Sequence, residues 1–261
     1  MDQVNKTLYI PLYGKAYVSS RGLILSDPKA EEIWAAEGFP LQGKAKSKWL
    51  AYYMGMRSAV FDGWLRRELE TAQAPVVLHL GCGLDSRVLR VEAGEAVWYD
   101  VDFPQVIRER QRYFEESHTR RMVAADVRDI RWLEDIPRQR HALVVMEGIS
   151  MYLTAPERNA LLLAIGEHFD RVSLLMDCYT TFAARASRFK NPINTVGVTQ
   201  VYGMDDPREP EAGSLGFRKE WDMTPQAAID TLPAGERGLF RRLYAGAASR
   251  KLYRLYEYGK G

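Results

Sequence analysis

The hydrophobic pattern of this chain changes character after Ala74-Pro75. Before that point apolar residues recur at helical spacing. From Trp49 to Leu69 they fall near a period of about 3.6, as expected for a helix packed along one side. Leu23-Ile24-Leu25 leads into Ser26-Asp27-Pro28, where a capping acid before a proline marks a helix start. That helix runs through Ile33, Trp34 and Ala35 and stops near Gly38 and Pro40. Residues 1–70 therefore read as a helical cap.

After Pro75 the pattern turns to short, unbroken apolar runs: Val76 to Leu80, Ala96 to Asp102, Arg121 to Asp126, Ala142 to Gly148 and Val172 to Asp177. A parallel strand covered on both faces reads this way, without alternation. Helix signals lie between the runs. Val88 and Leu89 follow Asp85, and Pro104 starts a helix through Val106 and Ile107 to Tyr113-Phe114. Thr154-Ala155-Pro156-Glu157 is a capping box leading into Leu161 to Ile165. Strands alternating with helices predict an α/β, Rossmann-like, doubly wound and mostly parallel sheet. From Phe182 to about Leu215 no period is evident, and residues 182–215 read as an irregular insertion or lid. The tail from Arg250 to Tyr258 alternates charged with apolar residues, which predicts an antiparallel strand with one buried face at the sheet edge. Together this is a single domain over 1–261: cap 1–70, cofactor-binding core 75–181, insertion 182–215, and a C-terminal part of the sheet from 216.

Composition narrows the class without naming it. At 261 residues the chain is long enough for a large core, and its formal net charge of +2 gives no global field for nucleic acid or a membrane surface. Two cysteines, Cys82 and Cys178, make no disulfide framework and point to a reducing cytoplasm. The four histidines are scattered, with no metal-ligand spacing. The start of the chain carries no signal-peptide core, and no stretch approaches the roughly 20 apolar residues of a membrane span.

The candidate chemistry sits where the first strand ends, in Gly81-Cys82-Gly83-Leu84-Asp85-Ser86. Gly81 and Gly83 allow a sharp turn and a close approach of backbone to a ligand. Asp102 lies nineteen residues beyond Gly83, at the end of the next strand, where an acid holds a ribose diol. A dinucleotide fingerprint has a third glycine, and here Ser86 stands in its place behind Asp85. An acid at that point is a poor neighbour for a pyrophosphate and suits a cofactor that brings an ammonium. S-adenosyl-L-methionine has that end and a ribose, and lacks phosphate. Gly81, Asp102, Asp126 and Glu147 all fall at the carboxyl ends of strands, where ligands bind in such sheets.

Taken in order, the motifs resemble the leucine carboxyl methyltransferase family, and within it the bacterial branch of polyketide-synthesis O-methyltransferases. The resemblance is carried by Thr7-Leu8-Tyr9-Ile10-Pro11-Leu12-Tyr13-Gly14-Lys15-Ala16, Ser26-Asp27-Pro28-Lys29-Ala30, Met56-Arg57-Ser58 with Phe61-Asp62, and the glycine turn. It continues through Asp100-Val101-Asp102-Phe103-Pro104, Ala125-Asp126-Val127-Arg128-Asp129 and Glu147-Gly148-Ile149-Ser150-Met151-Tyr152-Leu153. It covers about the first two-thirds of the chain. The resemblance implies a class I S-adenosylmethionine-dependent methyltransferase that transfers a methyl to oxygen of a small-molecule acceptor, leaving S-adenosyl-L-homocysteine. It implies that Arg57 binds the methionyl carboxylate, with Lys15 or Arg21 assisting. It places Gly81 and Gly83 against the cofactor, Asp102 or its rival Asp100 on the ribose, Asp126 and the Val127 amide on the adenine, and Glu147 near the amino group and the transferred methyl. Tyr9, Tyr13 and Tyr17 either line the acceptor pocket or pack the cap. No residue stands out as a general base, which favours an acceptor that is already anionic or one deprotonated by solvent. The competing readings are an NAD(P)-dependent oxidoreductase and a binding module for the same cofactor without turnover.

Overall fold

The structure, a computed structural model, describes residues 7–138, 141–190, 200–211 and 215–261. Three helices open it: α1 (Tyr9–Ser19), α2 (Pro28–Glu37) and α3 (Lys48–Thr71). The Ser26-Asp27-Pro28 signal acts as read. Asp27 caps α2 by accepting the Ala30 N–H, Pro28 fills the first turn, and Gly38 closes the helix in a left-handed conformation.

Next come β1 (Val76–Leu80), α4 (Arg87–Arg90), β2 (Val97–Asp102), α5 (Pro104–Arg110), β3 (Arg120–Ala124), β4 (His141–Met146), α6 (Ala155–His168), β5 (Arg171–Tyr179) and α7 (Thr181–Lys190). The chain closes with β6 (Gly216–Glu220), α8 (Gln226–Ile229), α9 (Ala234–Tyr244), α10 (Ala247–Arg250) and β7 (Tyr253–Lys260). The strands make one seven-stranded sheet in the order β3-β2-β1-β4-β5-β7-β6. β1 to β5 pair in parallel, and β7 pairs antiparallel with β5. The order reverses between β1 and β4, and ligand crevices form at such a switch point.

The unbroken apolar runs are explained by cover on both faces. Val76, Leu78, Leu80, Val144 and Met146 pack into one core with Leu161, Leu162 and Ile165 of α6. Val77, Leu143, Val145 and Leu175 point the other way, onto Phe61, Trp64 and Leu65 of α3. The cap helix α3 is thus one of the two layers covering the sheet.

Four details differ from the sequence reading. The segment from Phe182 is not irregular at its start: α7 is a helix whose Ala183 N–H is capped by the Thr180 hydroxyl (3.0 Å). Residues 191–199 and 212–214 of the expected insertion lie outside the described residues. The tail strand β7 does not form the edge and is not buried on one face only. It lies between β5 and β6, so Leu255, Tyr256, Glu257 and Tyr258 are all buried. The edge is β6, where Arg218, Lys219 and Glu220 crowd five residues and erase any apolar signal, as edge strands do. Finally, α5 stops at Arg110 rather than reaching Phe114. The Arg110 side chain turns inward to Asp100 (2.7 Å), and the Phe114 ring folds back over its guanidinium at 4.1 Å.

Two caps make a stability contrast. Thr154 completes its capping box with Glu157 at the surface end of α6. Asp27 is fully buried and also receives the Ser86 hydroxyl (2.5 Å) and Arg90 (2.5 Å). Thr154→Ala should cost about 1 kcal/mol, and Asp27→Ala roughly 3–5 kcal/mol, as when a buried ion pair loses one partner. Urea denaturation midpoints for the two variants check this, and equal shifts would contradict it.

Candidate active site

β1 ends in a turn that requires glycine. Gly81 (φ +66°) and Gly83 (φ +52°) are both left-handed. A Cβ on Gly81 would also lie 1.9 Å from Cγ2 of Ile149, so this position is closed by packing as well as by backbone. The turn is tied to β2: the Gly81 N–H donates to the Val101 carbonyl (2.8 Å) and the Gly83 N–H to Oδ2 of Asp102 (2.8 Å).

Around this turn lies a cavity of about 870 Å³ at the carboxyl rim of the sheet, and Lys15, Arg57, Gly81, Gly83, Asp102, Asp126, Val127 and Glu147 all line it. The two rivals, Asp100 and Arg21, are not among the lining residues. Asp100 is buried away from solvent between Arg110, His79 (2.9 Å) and the Trp98 indole N–H (3.0 Å), as a structural acid. Arg21 is an exposed cation whose guanidinium stacks on Tyr17 at 3.7 Å. The three candidate tyrosines pack the cap and are not among the lining residues. Tyr9 stacks on Phe39 and donates to Glu37 (2.8 Å), and Tyr13 donates to the Lys46 carbonyl (3.3 Å). The tyrosines that do line the cavity are Tyr53, Tyr152, Tyr179, Tyr244 and Tyr253.

The polar end of the cavity rests on a buried ion network. Asp85 meets Lys15 (2.8 Å), Arg90 (3.1 Å) and Arg87 (3.5 Å). Its charge is therefore matched by cations of the protein. Arg87 also reaches Asp62 (2.6 Å) and Glu147, and Arg90 reaches Asp62 (2.8 Å) and Asp27. Arg57 binds Glu147 (3.0 Å) through Nε and Asp177 (2.9 Å) through Nη1. Four cations thus meet five carboxylates in this network, and of these Lys15, Arg57, Asp85 and Glu147 line the cavity.

The titrations follow from these contacts. Burial alone would raise Asp85 and Glu147, but their guanidinium partners overcome it and hold both carboxyls below the ordinary range. Among the described residues Asp102 has no ion partner. Burial pushes its carboxyl up to about 6, against the pull of the Gly83 and Phe103 N–H groups. Burial lowers His79, whose Nδ1 meets Asp100 and whose Nε2 faces Arg87 at 3.4 Å. At the far rim Asp126 is clasped by Arg128 (2.5 Å). Among the described residues the neighbouring Val127 N–H has no acceptor within the protein.

Sequence reasoning missed Asp177, Arg87, Arg90 and the lining tyrosines. Asp177 was findable: it ends a strand run just as Asp102, Asp126 and Glu147 do. The arginines follow the glycine turn, in a short helix that the sequence marks only by Val88 and Leu89.

With this geometry in hand, the chain matches the leucine carboxyl methyltransferase family over residues 7–166. It belongs to that family. The tetracenomycin polyketide synthesis O-methyltransferase TcmP of Streptomyces glaucescens is 31% identical over 224 residues, covering 84% of this chain and 83% of that protein. The S-adenosyl-L-methionine-dependent methyltransferase dpfgK of Gibberella zeae is 28% identical over 236 residues, covering 82% of this chain and 79% of the relative. Among solved structures, magnesium protoporphyrin IX methyltransferase (ChlM) from Synechocystis PCC 6803 with bound SAH superposes with a TM-score of 0.53 at 10% identity, over 95% of this chain and 97% of that one. That last likeness is one of fold, and it agrees with the Rossmann-like class I architecture of this family member.

The split between the two acids is testable. Asp100→Asn strands the buried Arg110 and should cost roughly 3–5 kcal/mol of stability. Asp102→Asn removes no ion pair and should cost far less. Unfolding of both variants without ligand checks this, and the reverse order would undo the assignment of Asp100 as the structural acid.

Proposed function

We propose that this protein is an S-adenosylmethionine-dependent O-methyltransferase acting on a carboxylate or hydroxyl of a small, polyketide-related molecule in the cytoplasm. The observation that carries the reading is that Lys15, Arg57, Gly81, Gly83, Asp102, Asp126, Val127 and Glu147 all line one cavity. The whole chain would act as one methyltransferase unit. Near-neutral net charge gives no support for a nucleic-acid partner. Among the described residues no helix is long and apolar enough to cross a membrane.

The residues present fit the cofactor. Lys15 and Arg57 line the cavity beside Asp85 and Glu147, a mixed-charge set that suits a ligand end carrying both a carboxylate and an ammonium. Asp102 would take the ribose diol, since its two oxygens each hold only one backbone N–H, from Gly83 (2.8 Å) and Phe103 (2.7 Å). The Val127 N–H and Asp126 would take the adenine edge. Arg57 and Lys15 would hold the methionyl carboxylate, and Glu147 the ammonium. When bound, S-adenosylmethionine supplies an activated methyl whose departure needs no acid. The protein's task is then to place an acceptor oxygen in line and to exclude water, for which orientation alone can supply a large part of the rate.

Leu50, Tyr53, Tyr152, Ala183, Tyr244 and Ala248 also line the cavity, and the acceptor would lie against them. No free base is found there among the described residues. Burial raises the Tyr53 and Tyr152 hydroxyls well above their ordinary range, and Glu147 is held by two guanidiniums. This favours an acceptor oxygen that arrives ionised, as a carboxylate does near neutral pH.

A melting experiment tests the reading. S-adenosylhomocysteine should raise the melting temperature, since a ligand at a hundredfold excess over its Kd adds about 2.7 kcal/mol to the native state. NAD and NADP should not. A shift with NAD alone would overturn the methyltransferase reading in favour of an oxidoreductase. A shift with S-adenosylhomocysteine but no methyl transfer to any of a panel of carboxylates and phenols would favour the binding module.

Asp102 adds a pH dependence. Its folded carboxyl titrates near 6, above its value of about 3.9 in an unfolded chain. The folded state therefore holds this proton more tightly, and Asp102 lowers stability as pH rises between those values. Its anion is the better acceptor for a diol. Cofactor affinity should thus rise as pH climbs through about 6. In Asp102→Asn that rise should vanish, with affinity weak throughout. Titration calorimetry from acid to neutral pH reads both, and an unchanged profile in the variant would remove Asp102 from the ribose.

A further inference from the structure

Three contacts converge at the end of β5. Asp177 is fully buried. Its Oδ2 accepts from Nη1 of Arg57 (2.9 Å), and its Oδ1 accepts the Gly148 N–H (2.7 Å). Its own carbonyl receives the Ser150 hydroxyl. Gly148 is left-handed (φ +76°), and the position a Cβ would take there lies 3.4 Å from Nη2 of Arg57. One carboxylate therefore clamps both the guanidinium and the backbone turn against which that guanidinium lies.

Arg57 has three nitrogens that donate. Glu147 takes Nε (3.0 Å) and Asp177 takes Nη1. Nη2 alone keeps no partner among the described residues, and it faces the Gly148 turn at the cavity wall. A guanidinium is planar, so fixing two nitrogens fixes the direction of the third. Glu147 by itself leaves the plane free to swing about a single contact. Asp177 supplies the second point.

We propose that Asp177 is a positioning residue for the cofactor: it orients Arg57 so that Nη2 is presented to the methionyl carboxylate. This rests on the proposed role of Arg57. The sign of the effect separates positioning from simple electrostatics. Asp177 is itself an anion, so its charge repels an incoming carboxylate. If electrostatics ruled, removing the charge would tighten binding; if positioning rules, removing it weakens binding.

The experiment compares two ligands. S-adenosylhomocysteine carries the amino-acid end, and 5′-methylthioadenosine lacks it. In Asp177→Asn, affinity for S-adenosylhomocysteine should fall by about tenfold or more, the loss expected when a charge-assisted contact is misaligned. Affinity for 5′-methylthioadenosine should stay within about twofold, which also shows that the variant is folded. Should Asp177→Asn not fold, Asp177→Glu carries the same test, because it keeps the charge but shifts the oxygens. It should lose affinity for S-adenosylhomocysteine selectively. Unchanged or tighter S-adenosylhomocysteine binding in the folded variant overturns the proposal, and so does an equal loss for both ligands. Arg57→Ala is the separate arm for the underlying reading. If it too weakens both ligands equally, Arg57 does not hold the carboxylate at all. If Arg57→Ala is selective while Asp177→Asn is silent, only the positioning role fails.

Discussion

Arg87 is the side chain on which the cap, the glycine turn and the sheet rim all depend. It is fully buried, and it reaches Asp62 and Ser58 on α3, Asp85 in the turn and Glu147 past β4. A guanidinium in such a place is tolerable only when all its neighbours are present, because an unpaired buried charge costs several kcal/mol. Loss of one carboxylate is therefore felt by the others. This explains why α3 cannot be regarded as an appendage. Its Arg57, Ser58 and Asp62 are as much part of the rim as the residues that follow the strands. It also gives a reason for the motifs to occur as an ordered set, since each satisfies charges brought by another.

The parts of the fold that were legible were those with a single physical cause. β1, β4 and β5 read clearly because both faces are covered, which leaves most of their positions apolar. The caps at Asp27 and Thr154 read clearly because their hydrogen bonds are local. β6 did not, since an edge strand is selected for charge and not for apolarity. β7 misled because Arg250, Arg254 and Glu257 suggested a wet face. Glu257 is in fact buried and receives the Trp221 indole N–H (2.7 Å). Start of α7 was missed although Thr180 caps it and Ala183, Ala184 and Ser187 sit on its buried side.

The site was half legible for a related reason. Acids at strand ends announce themselves, so Asp102, Asp126 and Glu147 were placed on the rim from the sequence. Their partners were not. Asp85 was read as an open acid, and only the fold reveals that Lys15, Arg87 and Arg90 converge on it. Tyr9, Tyr13 and Tyr17 were ambiguous because α1 presents one face to the cap and another to the cavity. Position along the helix decides between them: Ile10, Pro11 and Lys15 line the cavity while the tyrosines turn away.

The cavity lining has two origins in the chain. Its charged members, from Lys15 to Glu147, lie within the family match at residues 7–166, although Asp177, which holds Arg57, lies beyond it. Tyr179, Ala183, Tyr244, Ala248 and Tyr253 also line the cavity, and all lie beyond the match. The charged set is constrained by charge balance, where a substitution strands a buried partner. The later residues are constrained by volume and by the tyrosine hydroxyls, which tolerate exchange better. Membership of the family thus speaks for the charged set. A change of one alanine or tyrosine among the later lining residues would alter the shape of the pocket without stranding a buried charge.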